Sequence, residues 1–365
     1  MKGGGQQPLY KLLSKLGHVI KDLSLNMVLD LGENLGENRS GIEEEEFNAR
    51  VLGHCGNVRR LTIFHDKDNM SDPRLLFDKI RGLSSLQEIH IIDASESLEL
   101  WEDIPVEDAS NYLAHRLLDV VLDAHASRLR TIVLFGVTPL TIGTFEKIQC
   151  SAPKLIRLEI IRGITVHHHE SLANPAAWAC AANLQHVSLT RCRGVHAAIF
   201  TRQLAAGAIG CLRTLRMSLC GDVNSDETLP GATKWTIPAL EVLELDNFAE
   251  WEMRHFAMIH AKKVLLSCVW QSPVMREGEA LITAMRDTAT FPGVIELHVA
   301  SRWGDHDIDD LRAVCLAREI EIVERDWWFE ETEAYTKKHV FPLCLHAADP
   351  SLSPSSDFDH LLTSE

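Results

Sequence analysis

His167-His168-His169-Glu170 is the most metal-like string in this chain. Imidazole and carboxylate are ordinary zinc ligands, and a catalytic zinc holds three of them plus a water. The spacing does not suit that chemistry. Adjacent side chains cannot all point at one ion, and the i, i+4 pair of a helical zinc motif is absent. An exposed loop is expected there instead. His65-Asp66 and His306-Asp307 are His-Asp pairs of the kind a hydrolase uses, but neither has further partners nearby in sequence. The second precedes Asp309-Asp310 and a helical stretch, where acids favour a helix N-terminus. No G-x-S-x-G, P-loop or G-x-G-x-x-G string occurs. The expectation is a protein that is not an enzyme, with no catalytic residue, no metal ligand and no cofactor.

What the sequence does repeat is a phrase: apolar, two residues, apolar, one residue, apolar. It runs through Ile20/Leu23/Leu25, Val58/Leu61/Ile63, Leu86/Ile89/Ile91, Leu129/Ile132/Leu134, Leu155/Leu158/Ile160 and Leu184/Val187/Leu189. It continues at Leu212/Leu215/Met217, Leu240/Leu243/Leu245, Ala261/Val264/Leu266, Val294/Leu297/Val299 and Ala317/Ile320/Ile322. Successive starts are separated by 38, 28, 43, 26, 29, 28, 28, 21, 33 and 23 residues. A period in the high twenties carrying L-x-x-L-x-L is the mark of a leucine-rich repeat solenoid. The expected fold is therefore α/β: a horseshoe of about 11 irregular repeats, counted from these phrases. A parallel β-sheet should line its concave face and helices its convex face. Each phrase makes a short strand whose alternate side chains enter the core.

Helical stretches are expected between strands: Asp72 to Ile80, Glu107 to Ala126, Ile142 to Gln149, Pro175 to Ala181, Ala197 to Ala208, Trp251 to Ala261, Val274 to Asp287 and Ile308 to Ala317. Ser71 or Asp72, with Pro73 in the first turn, should start the first of these. Pro8 to Leu16 reads as a further helix leading into the first strand. Residues 1–7 and 341–365 are expected to be disordered, and 8–340 to form the solenoid. Residues 32–46, with a doubled Leu-Gly-Glu-Asn and the Glu43 to Glu46 run, are expected to be a mobile loop. Gly221 to Pro238 should replace a helix with irregular backbone. The chain opens in mid-repeat without the polar cap that solenoid ends need, so further upstream sequence or another chain is expected over that end.

Composition narrows the partners. The net charge of −16 disfavours a nucleic-acid backbone as ligand. No run of 18 apolar residues spans a membrane, and no apolar stretch follows Lys2 as in a secretory signal. Among nine cysteines there is no C-x-x-C. Cys55, Cys150, Cys180, Cys211 and Cys315 sit one to five residues before a phrase, and Cys192 and Cys220 eight residues after its first position. That last slot is where such repeats bury an Asn or Cys under the turn leaving the strand. Cysteines locked to the repeat read as small core residues, in a reducing cytoplasmic or nuclear setting.

The residues between the apolar strand positions should project into the concave face. In the central repeats these include Arg157, Glu159, Arg162, His186, Ser188, Arg191, Thr214 and Arg216; later they become Glu244, Asp246, Glu296, His298, Glu319 and Glu321. The face should thus pass from basic to acidic, which orients a protein partner of complementary charge. Trp251, Trp270, Trp303 and Trp327 fall nine to eleven residues after a phrase begins. They should share one C-terminal rim, either as binding anchors or as core filling under loops.

Several phrases resemble those of fungal F-box leucine-rich repeat proteins, especially of mushroom-forming fungi. These are Lys154 to Ile160, Asn183 to Leu189 with Cys192, Leu215 to Cys220, and the closing Leu311 to Ile322. The resemblance covers roughly residues 8 to 325. It implies a substrate receptor of a cullin–RING ubiquitin ligase, with ligase components among its partners and no catalytic residue. The F-box that docks such proteins on the ligase adaptor is not recognisable here, because Pro8 to Leu16 is too short for one. A free-standing repeat scaffold unrelated to ubiquitin is the alternative.

Overall fold

The computed structural model describes residues 6–27, 41–65, 73–93, 113–137, 147–148, 151–161, 183–190, 192, 210–218, 239–246, 259–267, 279–300 and 305–325. The chain divides into two compact units, Met1–Glu324 and Arg325–Glu365. All but the last residue of the sheet belongs to the first. The expected limits of the solenoid at 340 and of the tail, 341–365, lie outside the described residues.

Eleven strands form one sheet in sequence order: β1 Asp22–Met27, β2 Arg60–His65, β3 Glu88–Asp93, β4 Thr131–Phe135, β5 Arg157–Ile161, β6 His186–Thr190, β7 Thr214–Ser218, β8 Leu240–Asp246, β9 Ala261–Ser267, β10 Glu296–Ala300 and β11 Glu321–Arg325. Every pairing from β1 to β10 is parallel. A parallel pair needs a crossover, so the intervening helices must lie on a face of the sheet. This is the expected repeat solenoid.

Register follows the phrases. Leu23, Leu61, Ile89, Ile132, Leu158, Val187, Leu215, Leu243, Val264 and Leu297 pair strand to strand, and so do Leu25, Ile63, Ile91, Leu134, Ile160, Leu189, Met217, Leu245, Leu266 and Val299. A one-residue slip would move either row from core to the opposite face, so burial locks the register. The first residue of each phrase is buried from Val58 to Val294, ahead of the strand except at Leu240 and Ala261, which open β8 and β9. All three rows join a single core.

A backbone device repeats with the phrase. The residue preceding the strand accepts two N–H groups from the next repeat: Lys21 from Arg59 and Arg60, Arg59 from Gln87 and Glu88, and so on to Arg213, which accepts from Glu241 and Val242. Side chains add a second stitch. Asn57 Nδ2 donates to His18 O and Asn183 Nδ2 to Pro153 O, both at 2.7 Å, and Arg128 Nη1 donates to Ser84 O. Each donor directly precedes a phrase, and each acceptor lies two residues before the preceding phrase.

Helices close the other side of the core: α1 Gln6–Leu16, α2 Gly41–His54, α3 Arg74–Arg81, α4 Leu113–His125, α5 Glu279–Arg286 and α6 Asp305–Ala317. Leu76, Phe77 and Ile80 of α3 and Leu117, Leu118 and Val121 of α4 recur at three- and four-residue spacing and are buried against the strand rows. His125, fully buried in the last turn of α4, has Nε2 2.7 Å from Ile80 O and Nδ1 2.9 Å from Arg128 Nη2. That pairing sets the proton on Nε2, and burial lowers the pKa of the ring.

Five expectations need correction. Gln6 and Gln7, expected in a disordered terminus, open α1 instead. Residues 41–46 are not loop but the start of α2, where acids in the first turns suit the helix dipole; 32–40 lie outside the described residues. Glu45 reaches from that turn to accept the Leu75 N–H at 2.8 Å, capping α3 from the neighbouring repeat. Pro73 itself makes no side-chain cap, and neither Ser71 nor Asp72 is described. The helix read from Trp251 to Ala261 cannot reach its stated end, because Ala261 opens β9. The last phrase is out of step: Ala317 is the exposed end of α6, and Ile320 is the buried residue before β11. Glu319 turns the chain there with φ 59.

Cys55, Cys192 and Cys315 are buried, and Cys192 Sγ lies 3.4 Å from Ile160 O, under the turn leaving the strand. Cys211 is exposed instead. It occupies the slot of Asn57 and Asn183, directly before the phrase, which points outward. The helices read at Pro175 to Ala181 and Ala197 to Ala208 and the irregular stretch 221–238 lie outside the described residues, as do 142–146 and 274–278.

Candidate protein-binding face

Strand alternation sends two rows into the core and leaves three on the opposite face. The first row on that face runs Asp22, Arg60, Glu88, Thr131, Arg157, His186, Thr214, Val242, Lys263 and Glu296. The middle row runs Ser24, Thr62, His90, Val133, Glu159, Ser188, Arg216, Glu244, Leu265 and His298. The last holds Asn26, Phe64, Ile92, Phe135, Ile161, Thr190, Ser218, Asp246 and Ser267.

Of the expected face residues, Arg157, Glu159, His186, Ser188, Thr214, Arg216, Glu244, Glu296 and His298 share this face, and Asp246 falls in its last row by register. Glu319 does not, because it lies in the turn before β11. Arg162, Arg191, Trp251, Trp270, Trp303 and Trp327 lie outside the described residues, as does the His167 to Glu170 string.

Charge on this face is paired within the sheet. Arg157 binds Glu159 two residues along its own strand. Arg216 Nη2 meets Glu244 Oε1 across the β7–β8 step at 2.7 Å. Lys263 Nζ meets Glu296 Oε1 across β9–β10 at 2.7 Å, and His298 shares the same oxygen. Arg60 Nε holds Glu88 Oε2 at 2.7 Å. Hydrogen bonds from Lys263 and then His298 hold the Glu296 carboxyl below its ordinary pKa. Burial, then the neighbouring Arg157 charge, lowers the pKa of His186. Opposite charges across adjacent strands contribute roughly 0.2–1 kcal/mol each. The basic-to-acidic gradient is thus offset locally, because Glu159 and Glu244 answer the arginines and Lys263 answers Glu296. Each acid in the middle row is largely buried, while Arg157 stays half exposed.

Among the described residues no group of three His, Cys, Asp or Glu side chains is placed to hold a metal ion. None of the described helices is long and apolar enough to cross a membrane. Among the described residues this face carries hydrogen-bonding groups, paired charges and, at Phe135 and Ile161, half-buried apolar side chains.

No protein-family model matches the chain, and no curated protein matches it in sequence.

One part of the face was missed from sequence. Phe64, Ile92, Phe135 and Ile161 are register partners on β2 to β5, with Val133 beside them in the middle row. Phe64, Ile92 and Val133 are buried and the other two half-buried. The signal was available: Ile132-Val133-Leu134-Phe135 is apolar at both parities, and so are Ile63-Phe64 and Ile91-Ile92 near the ends of their strands, as in strands shielded on both faces.

Proposed function

We propose that this chain is a non-enzymatic protein-binding module that grips a protein partner on the face of its sheet opposite the helices. The observation that carries this reading is the common register of the strands. It aligns three rows of side chains on one face of the sheet, with charges paired from β2 to β10 and the last row apolar over β2 to β5. Such a surface suits the side chains of a folded or extended protein better than a small molecule, which needs a concave pocket with converging polar groups.

The biological setting proposed is substrate recruitment for ubiquitination, in a cytoplasmic or nuclear compartment. The resemblance of the phrases to F-box leucine-rich repeat proteins supports it. The test is affinity purification of the tagged chain from its native cells followed by mass spectrometry. Cullin and the F-box adaptor in the eluate are the expected result. A specific set of other proteins without any ligase subunit would overturn the ubiquitin setting and leave a free-standing scaffold.

A further inference from the structure

The residue directly before each strand lies along one edge of the sheet, away from the open face. Its backbone is fixed by the inter-repeat hydrogen bonds: Arg59 N–H to Lys21 O at 2.7 Å, Gln87 N–H to Arg59 O at 2.8 Å and Arg130 N–H to Gln87 O at 2.8 Å. Strands stand about 4.8 Å apart, so Lys21, Arg59 and Arg130 are strung along roughly 15 Å of edge. All three are exposed; in the next repeat the edge position is Ile156, and exposed Lys154 lies two residues before it. Among the described residues none of these four cations has an ion-pair partner.

The contrast with their neighbours is informative. Arg60, one residue into the strand, is held by Glu88, and Arg213, at the same edge position before β7, lies 3.5 Å from Glu241. Positive charge without an ion-pair partner among the described residues therefore recurs at this position on Lys21, Arg59 and Arg130, and once more on Lys262 of β9, in a chain whose net charge is −16. Asp22, beside Lys21, is an exposed acid.

We infer that the amino-terminal edge of strands β1 to β5 binds a short acidic segment of a partner protein. This rests on the reading of the chain as a protein-binding module and adds a second surface to it. Arginine forks match carboxylates, and a backbone held at strand spacing presents them as a row. Alternate side chains of an extended segment stand about 6.6 Å apart, so three or four carboxylates fit the row. A nucleic acid fits less well. The edge is only about two Debye lengths long at physiological salt, and the chain as a whole carries a net charge of −16.

The test uses the full chain and fluorescence anisotropy at low salt. The probes are a fluorescein-labelled peptide alternating Glu with Ser, the same peptide with Gln for Glu, and an oligothymidylate of similar length. The Glu peptide should bind and the other two should not. Arg59→Glu with Arg130→Glu should weaken binding about tenfold or more, while the same charge change on the helix side, Lys79→Glu with Arg286→Glu, should alter it less than about twofold. Circular dichroism checks folding, and Arg59→Gln with Arg130→Gln replaces the reversal if that variant unfolds. The inference is overturned by no binding of the Glu peptide, by equal loss in both double variants, by no loss in the edge variant, or by tighter binding of the oligothymidylate. Partner capture on the open face is a separate readout, so either surface can fail alone.

Discussion

At the scale of single residues, burial sets what the titratable side chains can do. His125 is buried with its ring pKa lowered by desolvation. In the unfolded chain an imidazole titrates near 6.5 and takes up a proton there, while the folded site resists it. The stability tied to His125 is complete above that pH and is lost as pH falls from about 6.5 toward the lowered folded value. Urea midpoints measured across this window should fall with acid, and His125→Gln should flatten the slope; an unchanged slope would contradict the burial argument. The cysteines divide in the same way. Burial pushes the Cys315 thiol up to about 11, whereas Cys211 is exposed. Iodoacetamide labelling of the folded chain, mapped by mass spectrometry, should mark Cys211 well before Cys55, Cys192 and Cys315. Comparable labelling of Cys315 would show that its core is open. Cysteine placement was legible from its offset to the phrase, but orientation was not. Cys211 sits one residue from a buried leucine yet points out, because the backbone turns between the two.

At the scale of elements, the strands were readable and the helix starts less so. Leucine, isoleucine and valine at alternate positions advertise a strand on their own. A helix start advertises itself through a local cap, and α3 has none: its cap is Glu45, thirty residues upstream in the neighbouring repeat. The same acids obscured α2, since a run of glutamates without apolar spacing reads as loop. Replacing Glu45 with Ala should cost about 1 kcal/mol, the usual worth of a cap. Replacing Glu46, whose contact is an exposed i, i+4 pair with Arg50, should cost no more than about 0.5 kcal/mol. Equal losses in chemical denaturation would remove the cap from the account. The last phrase misled for a related reason. Ala317 mimics a core residue by spacing, but the extra turn through Glu319 shifts the strand, and only backbone geometry shows that turn.

At the scale of the whole molecule, stability and recognition both follow from repetition. Each repeat packs only on its neighbours, so the ends have one partner and the middle two. Amide exchange should therefore be slowest in β5 to β7 and fastest in β1 and β11; uniform protection would mean a more globular cooperativity than the sheet order implies. Chain topology and register were legible because every strand repeats the same apolar spacing. The character of the open face was only half legible. Polar residues between the leucines of β5 to β10 stood out, whereas the apolar patch from Phe64 to Ile161 hid among strands apolar at both parities, and the charge pairing depends on cross-strand neighbours. The most direct test of that face as the binding surface is quantitative capture of partners by the tagged full chain, comparing wild type with Thr190→Arg plus Thr214→Arg. Both threonines are half-buried on the open face. The account predicts that a specific set of proteins captured by wild type is lost from this variant, which remains folded, and is kept by the helix-side control Lys79→Glu plus Arg286→Glu. Capture of the same set at the same level by the open-face variant would contradict it.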